Sequence, residues 1–274
     1  MTNGKISEQA VEMLNRAKAW WTTRLIDIRP GVIRIKGEPI ENLIGNVGYA
    51  HMVWLMLRDE PPTPAQTRLL EAALVAAVDH GPQAPSIAIS RMAVTCGAPL
   101  NGAMASAINV LDDIHGGAGQ QCLALFQAID SHAQTRPLDA AVQLALDGFV
   151  AEYGKVIPGY GHRFHPVDPR AVRLLALVDA AQASGEVEGR FARIGRQVEK
   201  ALGERTGKQI PMNIDGATAV VYGELGFAPE LARGLFILSR SVGILAHAWE
   251  QKNQGGRIKG PMPPDLGYTY LQDN

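Results

Sequence analysis

The 274-residue chain has only two cysteines, Cys96 and Cys122, far apart and in no CxxC spacing. That excludes a disulfide framework and a cysteine zinc ribbon, and it fits a reducing compartment; the expected location is cytoplasmic. No charge of either sign is in excess: 26 Lys and Arg face 27 Asp and Glu, for a net charge of −1. A global electrostatic grip on nucleic acid or anionic lipid is thereby excluded. No apolar run approaches the ~18 uninterrupted residues of a membrane span. The opening MTNGKISEQAVEML has no signal-peptide core behind a basic end. Aromatics are sparse at 6%, yet 46% of residues are hydrophobic, enough for a sizeable core in one or two domains. The expectation is a soluble globular protein with neither nucleic-acid nor membrane partners.

What is present reads mostly as helix. Apolar residues recur at three- and four-residue intervals from Ile6 to Trp20, including Val11, Leu14 and Ala17. Arg24–Arg29 and Val32–Lys36 are short β runs around Pro30-Gly31, a hairpin in which Pro presets one turn angle and Gly permits the positive one. Helical spacing resumes from Ile40 to Leu57. After the Pro61–Pro64 break, with Thr63 as N-cap, it runs from Ala65 to Asp79. Further helices are predicted over Pro85–Cys96, Asn101–Asp112, Gln120–Ala128, Leu138–Tyr153, Pro169–Ala183, Arg190–Gly203, Asp215–Glu224 and Glu230–Gln251, many rich in alanine. The fold class is all-α with a minor hairpin. Both cysteines, the Met52/Met56 pair and Trp20, Trp21 and Trp54 read as core packing.

Four stretches combine glycine with polar groups at helix junctions: Asp79-His80-Gly81-Pro82, Asp112–Gly119 containing His115-Gly116-Gly117-Ala118, Pro158–Arg170 and Asn213-Ile214-Asp215-Gly216. A histidine among glycines at a helix end suits catalysis, because the backbone approaches a ligand closely and free N–H groups point outward. Any one such histidine could be a surface or capping residue; several such loops together argue for a site. His162-x-x-His165 with Asp168 has the residue types of a metal trio, but Arg163 and the prolines do not present ligands on one helix face, so no metal is expected. Gly116–Gly119 is neither GxGxxG nor a phosphate loop.

The ordered set HGGA, PGYGH, DPR, NIDG and LFILSRSVGIL resembles the citrate synthase superfamily, from around Arg24 to the SRSVG helix. Asp79–Pro82 and the NIDG form look more like citryl-CoA lyases and the lyase module of ATP-citrate lyase. The resemblance implies a large helical domain of 1–117 completed by 227–274, and a smaller mobile domain of 118–226 that closes over the substrate. It implies a homodimer or higher even oligomer, with Leu69–Val78 and Asn101–Leu111 as candidate interface helices.

Position by position, the resemblance makes His115, His162 and Asp215 the catalytic residues. His115 would stabilise the acetyl-CoA enol, His162 handle the carbonyl or hydroxyl oxygen of the oxaloacetate part, and Asp215 move the proton on the methyl carbon. His80, Arg170 and Arg240 would bind substrate; Arg163, Arg257 and Lys259 are possible substrate or CoA contacts. The implied activity is a carbon–carbon lyase that cleaves citryl-CoA, or a related carboxylated 3-hydroxyacyl-CoA, to acetyl-CoA and oxaloacetate. No permanently bound cofactor is implied, the coenzyme A thioester being the substrate. The alternatives are a citrate or 2-methylcitrate synthase and a non-catalytic CoA- or carboxylate-binding regulator. Three departures set the chain apart from synthases. It is shorter, it has one residue fewer between His162 and Asp168, and Gly260-Pro261 stands where synthases carry Arg-Pro. Against the ATP-citrate lyase module, His115 restores a histidine that module lacks.

Overall fold

The computed structural model describes residues 7–163, 165–263 and 265–271, in two compact units divided between Thr67 and Arg68. In the first, α1 (Glu8–Trp20) is capped by Ser7, whose hydroxyl accepts the Ala10 N–H at 3.2 Å. The predicted start at Ile6 lies outside the described residues. The apolar stripe of α1 is not core: none of its residues is buried, and Trp20 and Trp21 are 81% and 80% exposed.

The expected hairpin forms from β1 (Ile26–Arg29) and β2 (Val32–Ile35), with Ile28 opposite Ile33 and Gly31 at φ 75° in the turn. A third strand, β3 (Glu38–Pro39), extends it and is too short to leave an alternation in the sequence. The helix predicted from Ile40 to Leu57 is two, α2 (Ile40–Leu43) and α3 (Tyr49–Leu57), because Gly45 turns with φ 82° between them. Trp54 is fully buried, its indole N–H donating to the Glu60 carbonyl at 2.9 Å. Thr63 caps α4 (Pro64–Ala76) reciprocally with Gln66, as the Thr-Pro signal predicts.

The second unit carries α5 (Pro85–Thr95), α6 (Leu100–Ile108), α7 (Ala118–Ala133), α8 (Leu138–Tyr153), α9 (Pro169–Ala183), α10 (Arg190–Thr206), α11 (Ile214–Glu224) and α12 (Pro229–Gln254). This is the expected helix order with shifted ends. α4 stops at Ala76 rather than Asp79, and Gly81 turns just beyond at φ 83°. α11 sits at the centre, buried from Gly216 through Gly223 between α7, α9 and α10. α12 packs on α5, α6 and α7. By length and composition α12 could cross a membrane, with a mean hydropathy of 1.2. It nevertheless buries Ser239, Arg240 and Gln251 against its neighbours, as a core helix does. The N-cap of α10, Gly189, has no side chain; the Glu224 carboxylate at the end of α11 accepts the N–H groups of Gly189, Phe191 and Ala192 at 2.7–3.1 Å instead. Several core assignments fail: Cys122 and Trp54 are buried, but Trp20, Trp21 and Met56 are exposed, and so is Cys96 at the C-cap of α5, where the chain leaves the packed face.

Candidate active site

All four glycine-bearing loops belong to the second unit. The Pro158–Gly161 and Pro211–Asn213 segments are joined edge to edge. The Gly161 N–H donates to the Pro211 carbonyl at 2.8 Å, the Asn213 N–H to the Gly159 carbonyl at 2.9 Å, and the Asn213 side-chain amide to the Gly161 carbonyl at 2.7 Å. The two backbones touch so closely that a Cβ on Gly159 would lie 2.5 Å from the Cys122 sulfur, and one on Gly216 would lie 2.4 Å from the Gly159 carbonyl oxygen. Glycine is therefore a steric requirement at both positions. The Asn213 side-chain oxygen Oδ1 caps α11 by accepting the N–H groups of Asp215 and Gly216. Asp215 thus sits in the first turn of a buried helix. Burial pushes its carboxyl up; Asp168 adds to this, and the nearby positive charges of Arg170 and Arg240 only partly oppose it.

His115 lies on a loop closed by a parallel bridge between Asp112 and Gly116 and gripped by Arg233, whose guanidinium pairs with both Asp112 and Asp113. Its Nε2 accepts the backbone N–H of Ser86 at 3.2 Å and lies 3.0 Å from the Ser86 hydroxyl. Ser86 follows Pro85 in the first turn of α5, where backbone N–H groups have no helical partner. The accepting Nε2 fixes His115 as a neutral ring with its proton on Nδ1. Burial, and then Arg240, lower its basicity in the same sense.

His162 is neutral in the opposite way. Its Nδ1 accepts the His165 backbone N–H at 3.0 Å, which leaves the proton on Nε2. Its ring meets the His80 ring edge-on at 5.9 Å and tilts against His165 at 4.6 Å. Burial lowers the His80 pKa, helped by Arg170, Arg240 and His162 and opposed by Asp168. Burial lowers that of His162 also, with His165 and Arg170 in the same direction and Asp168 against.

The two expected carboxylate clamps differ. Arg170 already holds the buried Asp168 in a fork, Nε and Nη2 donating at 3.0 and 2.9 Å. Asp168 also caps α9 and accepts the Ile214 N–H at 3.1 Å, so it ties the DPR segment to the start of α11. Arg240 is 5% exposed, stacks over Phe236 at 4.9 Å and donates Nε to the Ala77 carbonyl. Among the described residues no carboxylate lies within ion-pair distance of it. Burial lowers its pKa, against the attraction of Asp79 and Asp215. A buried guanidinium without an ionic partner is a receptor for an anion.

Arg163 is exposed beside His162. Arg257 and Lys259 lie at the other end of α5: the Ile258 and Lys259 N–H groups donate to the Thr95 carbonyl and hydroxyl, ~14 Å along the helix from Ser86. Within one chain they do not join His115. Among the described residues, no group of three His, Cys, Asp or Glu side chains is placed for a metal ion.

Together these groups form a candidate site on the helical scaffold: two neutral imidazoles, a carboxyl of raised pKa and a buried arginine. The model of the citrate synthase C-terminal domain matches residues 11–261, and the chain belongs to the citrate synthase family. It is 31% identical over 232 residues to the citrate synthase of Acidithiobacillus ferridurans, covering 83% of this chain and 57% of that enzyme. It is 29% identical to that of Deinococcus radiodurans, covering 98% of this chain and 70% of the other. The chain thus spans a little more than half the length of the first of these relatives. Among solved structures, the citryl-CoA lyase of Hydrogenobacter thermophilus superposes with a TM-score of 0.80 at 29% identity, over 93% of this chain and 95% of the lyase. The ATP citrate lyase of Methanothrix soehngenii, solved with citrate and coenzyme A, has a TM-score of 0.77 at 20% identity. It covers all of this chain and 46% of the lyase, a likeness of fold.

Sequence reasoning did not assign Ser86, Asn213 or the capping role of Asp168. Pro85 at the start of a helix was a usable sign that the next N–H would be free. Nothing in the sequence indicated that His115 would take it.

Proposed function

We propose that the protein is a carbon–carbon lyase that cleaves citryl-CoA, or a related carboxylated 3-hydroxyacyl-CoA, to acetyl-CoA and oxaloacetate. The observation that carries this reading is the near end-to-end superposition on a citryl-CoA lyase of matching length. In this reading, Arg240, joined by the free edge of Arg170, receives substrate carboxylates. His162 handles the oxygen on the carbon being released. As the C–C bond breaks, the enolate oxygen of the acetyl thioester forms against the Nδ1–H of His115, a donor already oriented by Ser86. Asp215, made a better proton carrier by burial, protonates the methylene carbon to give the methyl group. To take the hydroxyl proton, His162 moves its own proton to Nδ1 and gives up the His165 bond.

Condensation is the second reading, and the His162 Nε2–H favours it specifically: that donor suits a keto oxygen, the substrate of condensation and the product of cleavage. Citryl-CoA supplied to the protein, with oxaloacetate followed by malate dehydrogenase and NADH, is expected to give steady turnover. Steady CoA release from acetyl-CoA plus oxaloacetate, without cleavage, would instead make the protein a synthase. Neither activity, together with no exchange of acetyl-CoA methyl protons, would leave a binding regulator.

We also propose a mobile 118–226 domain and a homodimer. α12 exposes Leu238, Val242, Leu245 and Trp249 in a stripe at spacings of four and three, the pattern of a helix face that a second copy covers. Leu69, Leu70, Ala73, Ala103 and Ala107 of the two candidate interface helices are buried within the chain, so the α12 stripe is the stronger contact surface. Light scattering on the purified protein is expected to give twice the 29.4 kDa chain mass; a monomeric mass would overturn the pairing.

A further inference from the structure

One face of α12 holds the chain segment that ends in His80. The Ser239 hydroxyl donates to the Leu74 carbonyl at 2.5 Å, and Arg240 Nε to the Ala77 carbonyl at 3.1 Å. A Cβ on Gly243 would lie 2.2 Å from the Val78 carbonyl oxygen, so the two backbones are in direct contact there. One turn further on, His247 Nε2 lies 3.3 Å from both carboxylate oxygens of Asp79. The first three contacts fix backbone carbonyls upstream. Of these α12 contacts only that of His247 engages the Asp79 carboxylate, whose charge the backbone N–H groups of His80 and Gly81 also favour. Burial would raise the Asp79 carboxyl, but the His247 bond and those two N–H groups outweigh it and hold it below its ordinary value.

The other side of the His247 ring determines which nitrogen faces Asp79. Nδ1 is 3.3 Å from Nη1 of Arg91, a group that only donates. Arg91 is itself held by Glu250 at 2.5 Å and Gln254 at 2.7 Å. Nδ1 is thus the acceptor, and the Nε2 proton points at Asp79. The chain Arg91–His247–Asp79 runs from α5 across α12 to the turn that presents His80.

We infer that His247 is a positioning residue which, through the Asp79 carboxylate, fixes the His80 turn and so aims the His80 ring at the substrate carboxylates. The inference rests on the proposed substrate-binding role of His80. His247→Leu is expected to weaken oxaloacetate binding roughly tenfold or more by calorimetry, with coenzyme A binding unchanged. His247→Gln, whose amide can donate to Asp79 and accept from Arg91, is expected to stay within about threefold of the wild type. Long-range ¹H–¹⁵N spectra of the wild type are expected to show His247 protonated on Nε2, and those of His247→Leu to show displaced His80 ring resonances. Unchanged oxaloacetate affinity in His247→Leu, no rescue by His247→Gln, or a wild-type His247 proton on Nδ1 would each overturn the inference. Failure of the wild type to bind oxaloacetate would instead remove the substrate role of His80. The positioning would then stand or fall on whether the His80 resonances move in His247→Leu and return in His247→Gln. Should His247→Leu not fold, the wild-type tautomer and the His247→Gln affinity decide.

Discussion

His115 and His162 are both neutral imidazoles pinned by a backbone N–H, yet they offer opposite nitrogens to the site. His115 gives its Nε2 to the first turn of α5 and presents Nδ1–H; His162 gives Nδ1 to His165 within its own loop and presents Nε2–H. A helix N-terminus is a rigid donor backed by the helix dipole, whereas a loop N–H three residues away can be surrendered when the loop moves. The pair therefore divides the work. The fixed donor suits the enolate oxygen, whose hydrogen bond only strengthens, and the releasable one suits an oxygen that exchanges a proton.

The largest effect is expected at Asp215, the proposed proton carrier. Asp215→Asn should lower turnover by ~10²–10⁴ and abolish methyl-proton exchange. Because the folded Asp215 pKa is raised, its ionised form costs stability once the pH passes its ordinary value. The same variant should therefore melt higher than the wild type at neutral pH, and an unchanged or lower Tm would contradict the burial argument.

Ser86 tests the comparison directly. Ser86→Pro removes the N–H that holds His115 Nε2 and, in the first turn, breaks no helical hydrogen bond; a loss of ~10²-fold in kcat with little change in KM is expected. Arg257 and Lys259, rooted at the far end of α5, should not reproduce that loss when replaced by alanine in a monomeric preparation.

Gly159→Ala should destabilise the fold by ~2–4 kcal/mol in denaturant titrations. Its Cβ meets sulfur and backbone, and φ is 85°. The acid limb of the rate profile is the finer measure. All three site histidines have pKa values below the ordinary ~6.5, so activity should persist through pH 6.5 and fall only below it. The smallest effect belongs to Ser86→Ala, which keeps the N–H and should change kcat by less than ~10-fold.

Much of the fold was legible because helix periodicity, alanine content and the Thr63-Pro64 and Pro85 signals are local. The errors were local conflicts with tertiary context: Gly45 split a predicted helix, and no residue of the α1 stripe is buried. The site was legible as a set of loops, since glycine next to histidine or aspartate marks backbone that must approach something. The roles within it were not. In the sequence Asp168 is only a member of the DPR motif and of a metal trio not expected to form; it is a cap that holds Arg170 and Ile214. Arg170, assigned to substrate carboxylates, is half engaged by it.

The amino-acid sequence by itself determined the order of helices, the residue types of the site and the absence of a charge field that could bind anions at a distance. Only the tertiary structure decided which nitrogen each histidine presents, that Arg240 is buried with no carboxylate partner among the described residues, and that Gly159 and Gly216 must lack side chains. Those properties depend on contacts between residues dozens of positions apart. A hydrogen-bond direction or a 2.5 Å clearance is set by packing, and local spacing carries no record of it.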